Sequence, residues 1–186
     1  MTILGALMGF LLFSGTMSAP PSLVSAPSFS ALPTHAVTLT AYNAVPEQTD
    51  STPFETSSGA YSNPEVVAAR SRDLAGDLPF GTIIEIIGPS SDIKNTCGYN
   101  IVAPIIGYRV IADTMNARYT SRIDILFDIE SNYLVANGKV KNAGVILGIC
   151  NGASIRVVGH VDIKRIPKTQ AELAFIVNGK KELAIK

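Results

Sequence analysis

Two stretches of alternating apolar and polar residues, separated by a short polar loop, form the clearest pattern in the chain. Residues 108–112 alternate with a β-branched bias, which predicts a strand that ends at Asp113. A second strand is predicted over 122–127, where the period of two points three apolar residues to one face and Asp124 to the other. The sequence thus places an aspartate at each end of one loop. An aspartate at a strand end is also typical of a turn or capping group, so that interpretation stays open for each.

The rest of the pattern predicts further short strands and few helical segments. Strands are predicted over 36–42, 66–69, 83–87 and 154–163. Helical structure is predicted as one turn over 71–76, a helix over 129–138 that ends at Asn137-Gly138, and a short terminal helix over 169–177. This succession favours a β-rich domain, and a barrel more than a sandwich.

The amino-terminal segment differs from the rest of the chain. An uninterrupted apolar run over 3–13 resembles the centre of a secretory signal, and it is short for a membrane span. We expect residues 1–19 to be a signal peptide or a retained signal anchor, which would be the protein's only link to a membrane. Residues 20–35, rich in Pro, Ser and Ala, are expected to form a linker. A buried core helix over 3–13 is the structural alternative.

Charge and cysteine usage exclude two classes of function. The formal net charge is zero and no basic stripe is visible, which argues against a nucleic-acid partner. The two cysteines, Cys97 and Cys150, lack the close spacing of a zinc site. In an exported protein they can pair as a disulfide, and two buried free thiols are the alternative.

The strand, loop and strand around the two aspartates carry a set of residues at fixed spacing, namely Asp113, Ala117, Arg122, Ile123, Asp124, Ile125 and Phe127. This set resembles the central pattern of the three-aspartate (3D) domain family. The family's opening motif is a T-A-Y strand followed by T-x-S-G or T-P-x-T-x-S-G. Thr40, Ala41 and Tyr42 match the strand, and Thr56, Ser58 and Gly59 match the shorter form. Asp50, Thr52 and Pro53 precede them as in the longer form, with two residues between Pro53 and Thr56 where that form has one. These two sets lie far apart in the sequence, so their agreement is independent support. The chain departs from the family at Met115 and Asn116, where many members have two glycines.

The resemblance covers roughly Val37 to Val158 and implies a mainly β fold, a six-stranded double-psi β-barrel with short helices. The barrel domain is expected over 36–165, followed by a C-terminal helical extension over 166–186.

The resemblance also implies a reaction. The family is similar to the catalytic part of membrane-bound lytic transglycosylase A and to the stationary-phase survival proteins. These enzymes cleave peptidoglycan between N-acetylmuramic acid and N-acetylglucosamine and leave an anhydro-muramyl end. The resemblance assigns the acid/base role to Asp124 and an orienting role to Asp113. Asp73 is the nearest candidate for the family's first aspartate, and Asp77 is a second candidate. A structural role explains Asp73 equally well, because it lies near the start of a helical turn that Ser71 is expected to cap.

The expected substrate is a peptidoglycan glycan strand, bound by an exported monomer without cofactor or metal. The residues expected to contact it are Tyr42, Thr52, Thr56, Asn116, Arg118 and Arg122. The expected location is periplasmic, cell-surface or secreted. Two alternatives remain open: an expansin-like barrel that binds wall polysaccharide without cutting it, and a glycoside hydrolase on the same barrel. The absence of tryptophan argues against a dedicated sugar-binding platform.

Overall fold

The computed structural model of the protein describes residues 32–90 and 97–183. The predictions for the signal segment 1–19 and for most of the linker 20–35 lie outside these residues. The first strand begins at Thr34, two residues before the predicted start of the barrel domain. Within the described residues, no helix is both long and apolar enough to cross a membrane.

Eight strands and three α-helices make up the regular structure of the described residues. The strands are β1 (Thr34–Tyr42), β2 (Val67–Arg70), β3 (Thr82–Ile87), β4 (Tyr108–Thr114), β5 (Arg122–Leu126), β6 (Asn132–Leu134), β7 (Val140–Asn142) and β8 (Cys150–His160). The helices are α1 (Tyr99–Ile106), α2 (Ala143–Leu147) and α3 (Gln170–Leu183), with single 3₁₀ turns at Arg72–Ala75 and Ile163–Arg165.

Six of the strands close into a barrel in the order β1-β5-β2-β4-β3-β8. The pairs β1–β5 and β2–β4 are parallel, and the other four pairs are antiparallel. Closure leaves none of the six strands with an unpaired edge. The fold prediction, a mainly β six-stranded double-psi barrel with short helices, is confirmed.

The barrel strands bury apolar residues on both of their faces. One cluster takes residues from all six strands, the pattern of a barrel interior, and it includes Leu39, Ala68, Ile84, Ile111, Ile125 and Ile155. A second cluster lies on the other face of these strands, where helix α3 contributes to it; its members include Val67, Ala69, Val110, Leu126, Leu173 and Val177. The residues of the candidate site lie on this second, outer face, beside the long loop 43–66.

Two helix predictions have different outcomes. The helix predicted over 129–138 is wrong, because this segment belongs to the β6–β7 hairpin, in which Leu134 pairs with Val140. Asn137-Gly138 forms the hairpin turn, with Gly138 at φ 74°, and such a dipeptide suits a hairpin turn as well as a helix end. The terminal helix is confirmed, but it continues through Asn178-Gly179 to Leu183.

The question of the two cysteines is resolved by their pairing. Cys97 and Cys150 form a disulfide across a sequence separation of 53 residues. It joins the segment just before α1 to the start of β8, and Cys150 lies in the barrel interior.

Candidate active site

Asp113 and Asp124 lie on either side of one small residue. Strand β2 runs between β4 and β5, and Ala69 of β2 is the register partner of both Asp113 and Asp124. On the far side of β5, Asp124 pairs with Thr40 of β1. The four residues therefore form a row across four adjacent strands. The alanine methyl group, at the centre of this row, leaves room above the sheet for two carboxyl groups.

A β-bulge turns Asp113 toward this row. Ala68 pairs with Ile111, but the next residue, Ala69, pairs with Asp113, so β4 contains one extra residue, Ala112. Regular alternation would put Asp113 on the same face as Ile111, inside the barrel. The extra residue re-aims the aspartate to the outer face, a recognised effect of bulges beside functional sites.

Strand β1 supplies a hydroxyl donor to each aspartate. Thr40 and Tyr42 are two residues apart and so share a face. The Thr40 hydroxyl donates to Asp124 Oδ1 at 2.6 Å, and the Tyr42 hydroxyl donates to Asp113 Oδ2 at 3.0 Å. Burial and the Asp113 carboxylate raise the pKa of Tyr42 well above its usual value, so this hydroxyl keeps its proton. One strand thereby orients both carboxyl groups.

Asp113 is also bonded to the backbone on both sides of the cleft. Its Oδ1 accepts from Ser57 N at 2.9 Å and from Thr114 N at 2.8 Å. The carbonyl of the bulge residue Ala112 accepts from Ser58 N at 3.3 Å. These bonds attach the loop 43–66 to the end of β4, so Asp113 has a fixed position and serves as an acceptor.

The surroundings of Asp124 favour its protonated form. Burial raises the pKa of Asp124 to about 6, and the Asp113 carboxylate acts in the same direction. The hydrogen bond from Thr40 and the Arg122 guanidinium lower this pKa but do not offset the effect of burial. In the part of the chain that the structure describes, no donor reaches the second oxygen, Oδ2. A carboxyl group with one oxygen fixed and the other free can exchange a proton with a ligand in the cleft.

An open cleft of about 780 Å³ lies above the row. Ala69 is part of its floor, together with both aspartates and the buried Met115. The loop 43–66 forms one wall and the β4–β5 loop the other. The residues that line these walls include Glu47, Gln48, Asp50, Thr52, Pro53, Glu55, Thr56, Ser57, Asn116, Arg118 and Tyr119.

The predicted threonines line the cleft, but their hydroxyl groups are bonded within the loop. Thr52 Oγ1 donates to Asp50 Oδ1 at 2.9 Å. Thr56 is buried; its Oγ1 donates to Ala60 O at 3.0 Å and lies 2.9 Å from Ser58 Oγ. The two threonines thus stabilise the loop that forms the wall of the cleft. This structural role does not depend on a bound substrate.

The predicted arginines both lie against one tyrosine ring. The guanidinium carbons of Arg118 and Arg122 are 4.7 and 4.8 Å from the ring centre of Tyr119. Arg118 lines the cleft, and no carboxylate of the described residues pairs with it, so its charge can meet an anionic group of a ligand. Arg122 does not line the cleft and acts on the pKa of Asp124. Asn116 lines the cleft, and its Oδ1 accepts from Arg118 N at 3.1 Å.

Asp73 does not line the cleft. It is exposed in the 3₁₀ turn after β2, where its carboxylate accepts from Ser121 N at 2.8 Å. Ser121 has a positive φ of 50°, which an ordinary side chain adopts at a cost and which this bond helps to hold. Asp73 therefore fixes the end of the loop that leads to Asp124. The Ser71 side chain makes no capping bond to this turn, and its hydroxyl accepts from Arg122 N at 3.0 Å instead.

Sequence reasoning missed three parts of the site: the partnership of Thr40 with Asp124, the Ser57 amide and the position of Ala69. The alternation that puts Thr40 on the same face as Tyr42 could have indicated the contact of Thr40 with Asp124. The positions of the Ser57 amide and of Ala69 depend on pairings between distant segments, which the sequence does not show. Within residues 32–90 and 97–183, no group of His, Cys, Asp and Glu is arranged to hold a metal ion.

No family model matches the chain, and no curated protein matches it. The resemblance to the three-aspartate family therefore remains a proposal, supported by the sequence motifs and by the geometry of the cleft.

Proposed function

We propose that the protein is a lytic transglycosylase that cleaves the bond between N-acetylmuramic acid and N-acetylglucosamine in peptidoglycan. The observation that carries this proposal is Asp124: one carboxyl group with a raised pKa, on the floor of an open cleft, with one oxygen held by Thr40 and the other free. A transglycosylase needs one group that both gives and takes a proton. The chain belongs, on this proposal, to the three-aspartate family.

The reaction uses Asp124 twice. Its Oδ2 proton passes to the glycosidic oxygen while the bond from that oxygen to the muramyl anomeric carbon breaks, and the bonding electron pair stays with the oxygen. The muramyl six-position hydroxyl then bonds to the anomeric carbon and gives its proton to the Asp124 carboxylate. The acid is regenerated and no water is consumed, so a second carboxylate that activates water is unnecessary.

Asp113 supports this reaction without exchanging the proton itself. Its carboxylate faces the same cleft and is held by Tyr42, Ser57 and Thr114. A fixed negative charge there raises the pKa of Asp124 and favours the positive charge that develops on the sugar ring as the bond breaks. Arg118 is the candidate for a contact with a lactyl or peptide carboxylate of the glycan strand.

Two features support an exported location. Disulfides such as Cys97–Cys150 persist in oxidising compartments, and the apolar run over 3–13 has the composition of a secretory signal. Both agree with a wall substrate.

The test is release of anhydro-muropeptides from purified peptidoglycan by wild-type protein and Asp124→Asn. Turnover by the variant should fall at least about a hundredfold, because a placed proton donor contributes that much or more. Asp162→Asn, an exposed aspartate outside the cleft whose bond to Lys164 N an asparagine can keep, is the matched control and should release product at the wild-type rate. Asp73→Asn should reduce turnover far less than Asp124→Asn, since Asp73 acts only on the loop.

Thermal unfolding of the same variants separates chemistry from folding. Because the pKa of Asp124 is raised from 3.8 to about 6, ionising this group costs folding free energy. Its contribution to stability is fully present below about pH 4 and is lost as the pH rises through about 6. Asp124→Asn removes that cost, up to about 3 kcal/mol, and should unfold no earlier than wild type at pH 7.5. A folded Asp124→Asn protein with wild-type product release would reject the assignment.

Two alternatives predict different outcomes in the same assay. A glycoside hydrolase, favoured by the presence of two aspartates on the floor of the cleft, would release a reducing end in place of an anhydro end. A non-catalytic wall-binding barrel is favoured by two exposed aromatic rings, Phe54 and Tyr61, beside the cleft. It would retain peptidoglycan without releasing either end. Mass analysis of the soluble products distinguishes all three.

A further inference from the structure

A short hairpin in the loop 43–66 holds two aromatic rings in solvent. Glu55 pairs with Tyr61 in an antiparallel bridge, and Ser62 N donates to Phe54 O at 3.0 Å. The rings of Phe54 and Tyr61 are nearly parallel, at 13°, with their centres 6.5 Å apart. Their exposed fractions are 63% and 66%. We refer to this pair as the aromatic ridge.

The aromatic ridge is not explained by folding. Neither ring belongs to the two buried clusters of the barrel, and the hairpin beneath them is already held by backbone bonds and by Thr56. Two adjacent exposed rings leave apolar surface in water, and a concentrated patch of this kind marks an interaction site more often than a single exposed residue does.

The ridge separates the cleft from a second groove. Pro53 and Glu55, on either side of Phe54, line the cleft with the two aspartates. Tyr61 lines a neighbouring groove of about 720 Å³. That groove is lined by hydrogen-bonding and charged groups as well as apolar ones, among them Asn63, Glu65, Asp128, Lys164 and Lys168. A ligand that leaves the cleft across the hairpin therefore meets two aromatic rings and then a groove with both charged and apolar lining.

We propose that the aromatic ridge is a glycan subsite, on which sugar rings of the bound strand stack as the strand passes from the cleft toward the second groove. A pyranose ring has an apolar face and a rim of hydroxyl groups, which fits aromatic rings that lie between a polar cleft and a groove of mixed charged and apolar lining. An apolar protein partner would fit less well, because the cleft on one side of the ridge is polar and the groove on the other side carries charged side chains, among them Glu65, Lys164 and Lys168. The subsite extends the cleft and so rests on the proposed function for the identity of the glycan.

The experiment measures binding without turnover. Full-length protein carrying Asp124→Asn is sedimented with increasing amounts of insoluble purified peptidoglycan, and the bound fraction gives an apparent Kd. The same measurement is made with Phe54→Ala and Tyr61→Ala added together. We expect the added pair to weaken binding about tenfold or more, since stacking by two rings is lost. Phe175→Ala is the matched control, an aromatic residue of α3 that is 79% exposed and lines neither groove.

The outcomes separate this proposal from the proposed function. Unchanged binding after loss of both rings would overturn the subsite, as would equal weakening by Phe175→Ala, which would indicate general apolar adsorption. Absence of peptidoglycan binding by the parent protein would also overturn it. Selective weakening by the ridge variants supports the subsite even if the wild-type protein releases no anhydro end, and in that case only the proposed reaction fails.

Discussion

Asp124 is subject to four influences that act in opposite directions. Burial is the largest and raises its pKa, and the Asp113 carboxylate acts in the same direction; the Thr40 hydroxyl and the Arg122 guanidinium lower it. The balance, a pKa of about 6, leaves the group able to donate at mildly acidic pH and to accept afterwards. On the proposed reaction, turnover should therefore decline as the pH rises above about 6.

Thr40→Val tests this balance at a single residue. Valine keeps the branched shape but removes the hydroxyl that favours the ionised carboxyl, so the pKa of Asp124 should rise further. In the pH dependence of kcat/KM, the descending limb should move to higher pH.

Thr38→Val is the matched control for Thr40→Val. Thr38 lies two residues earlier on the same face of β1, and its hydroxyl donates to Asn151 Oδ1 at 3.1 Å, away from Asp124. The descending limb should stay in place in this variant. A limb that is unmoved by Thr40→Val, or moved equally by both changes, would contradict the role given to Thr40.

At the scale of elements, alternation predicted the two strands that carry the aspartates, but not how those strands meet. Nothing in the sequence marks Ala112 as a bulge residue, because an apolar residue in a strand is ordinary and only pairing with β2 reveals the extra position. The contact of Thr40 with Asp124 depends on parallel pairing between β1 and β5, 84 residues apart. Local patterns do not contain such long-range registers.

The mistaken helix over 129–138 has a similar cause. Asn137-Gly138 suits a helix end and a hairpin turn, and what decides between them is the pairing of Leu134 with Val140. The sequence thus supplied the element types near the candidate site and most of its residues. The orientation of Asp113 and the central place of Ala69 required the assembled sheet.

Ala69→Val tests the row across β4, β2 and β5. Ala69 is 3% exposed and lies between the two aspartates. Valine is favourable in a strand, but its two additional methyl groups would occupy the space between the two carboxyl groups. We expect turnover to fall roughly ten- to a hundredfold, the cost of a small displacement of reacting groups. The thermal midpoint is measured beside it and should change little.

Ala69→Gly is the control for this position. It keeps the centre of the row open and adds no hydrogen-bonding group, so turnover should stay near the wild-type rate. Wild-type turnover in Ala69→Val would show that the space between the aspartates is not needed. A large loss of thermal stability in Ala69→Val would indicate that Ala69 serves packing alone.

At the scale of the whole barrel, one buried cation ties the candidate site to the rest of the fold. Arg109 is 1% exposed; burial lowers its pKa to about 10, so it stays charged at neutral pH. Its guanidinium donates to backbone carbonyls of α1, the loop 43–66 and β5, namely those of Ile105, Ile106, Pro64 and Leu126. These carbonyls replace water around the charge. The loop that forms one wall of the cleft is thus held against the strand that carries Asp124.

The disulfide acts on the whole molecule through the unfolded state. A cross-link across 53 residues removes chain entropy from the unfolded ensemble, which stabilises the fold by about 4 kcal/mol. The double variant Cys97→Ala/Cys150→Ala should lose about this much free energy of unfolding in a denaturant titration, and its thermal midpoint should fall by roughly 10 °C. Wild-type protein in reductant should show a similar loss without the packing change at Cys150, and this comparison isolates the cross-link.

The same variant shows whether the cleft depends on the cross-link. Cys150 pairs in register with Leu39, the neighbour of Thr40 in β1, but the bonds that orient the aspartates come from β1, β4 and the loop 43–66. At temperatures below its lowered thermal midpoint, the double variant should show the descending limb of kcat/KM at the same pH as wild type, because those hydrogen bonds remain. If the limb moved while the barrel stayed folded, the disulfide would be acting on the geometry around Asp124. If reduction left the midpoint unchanged, the entropic account of its contribution would be wrong.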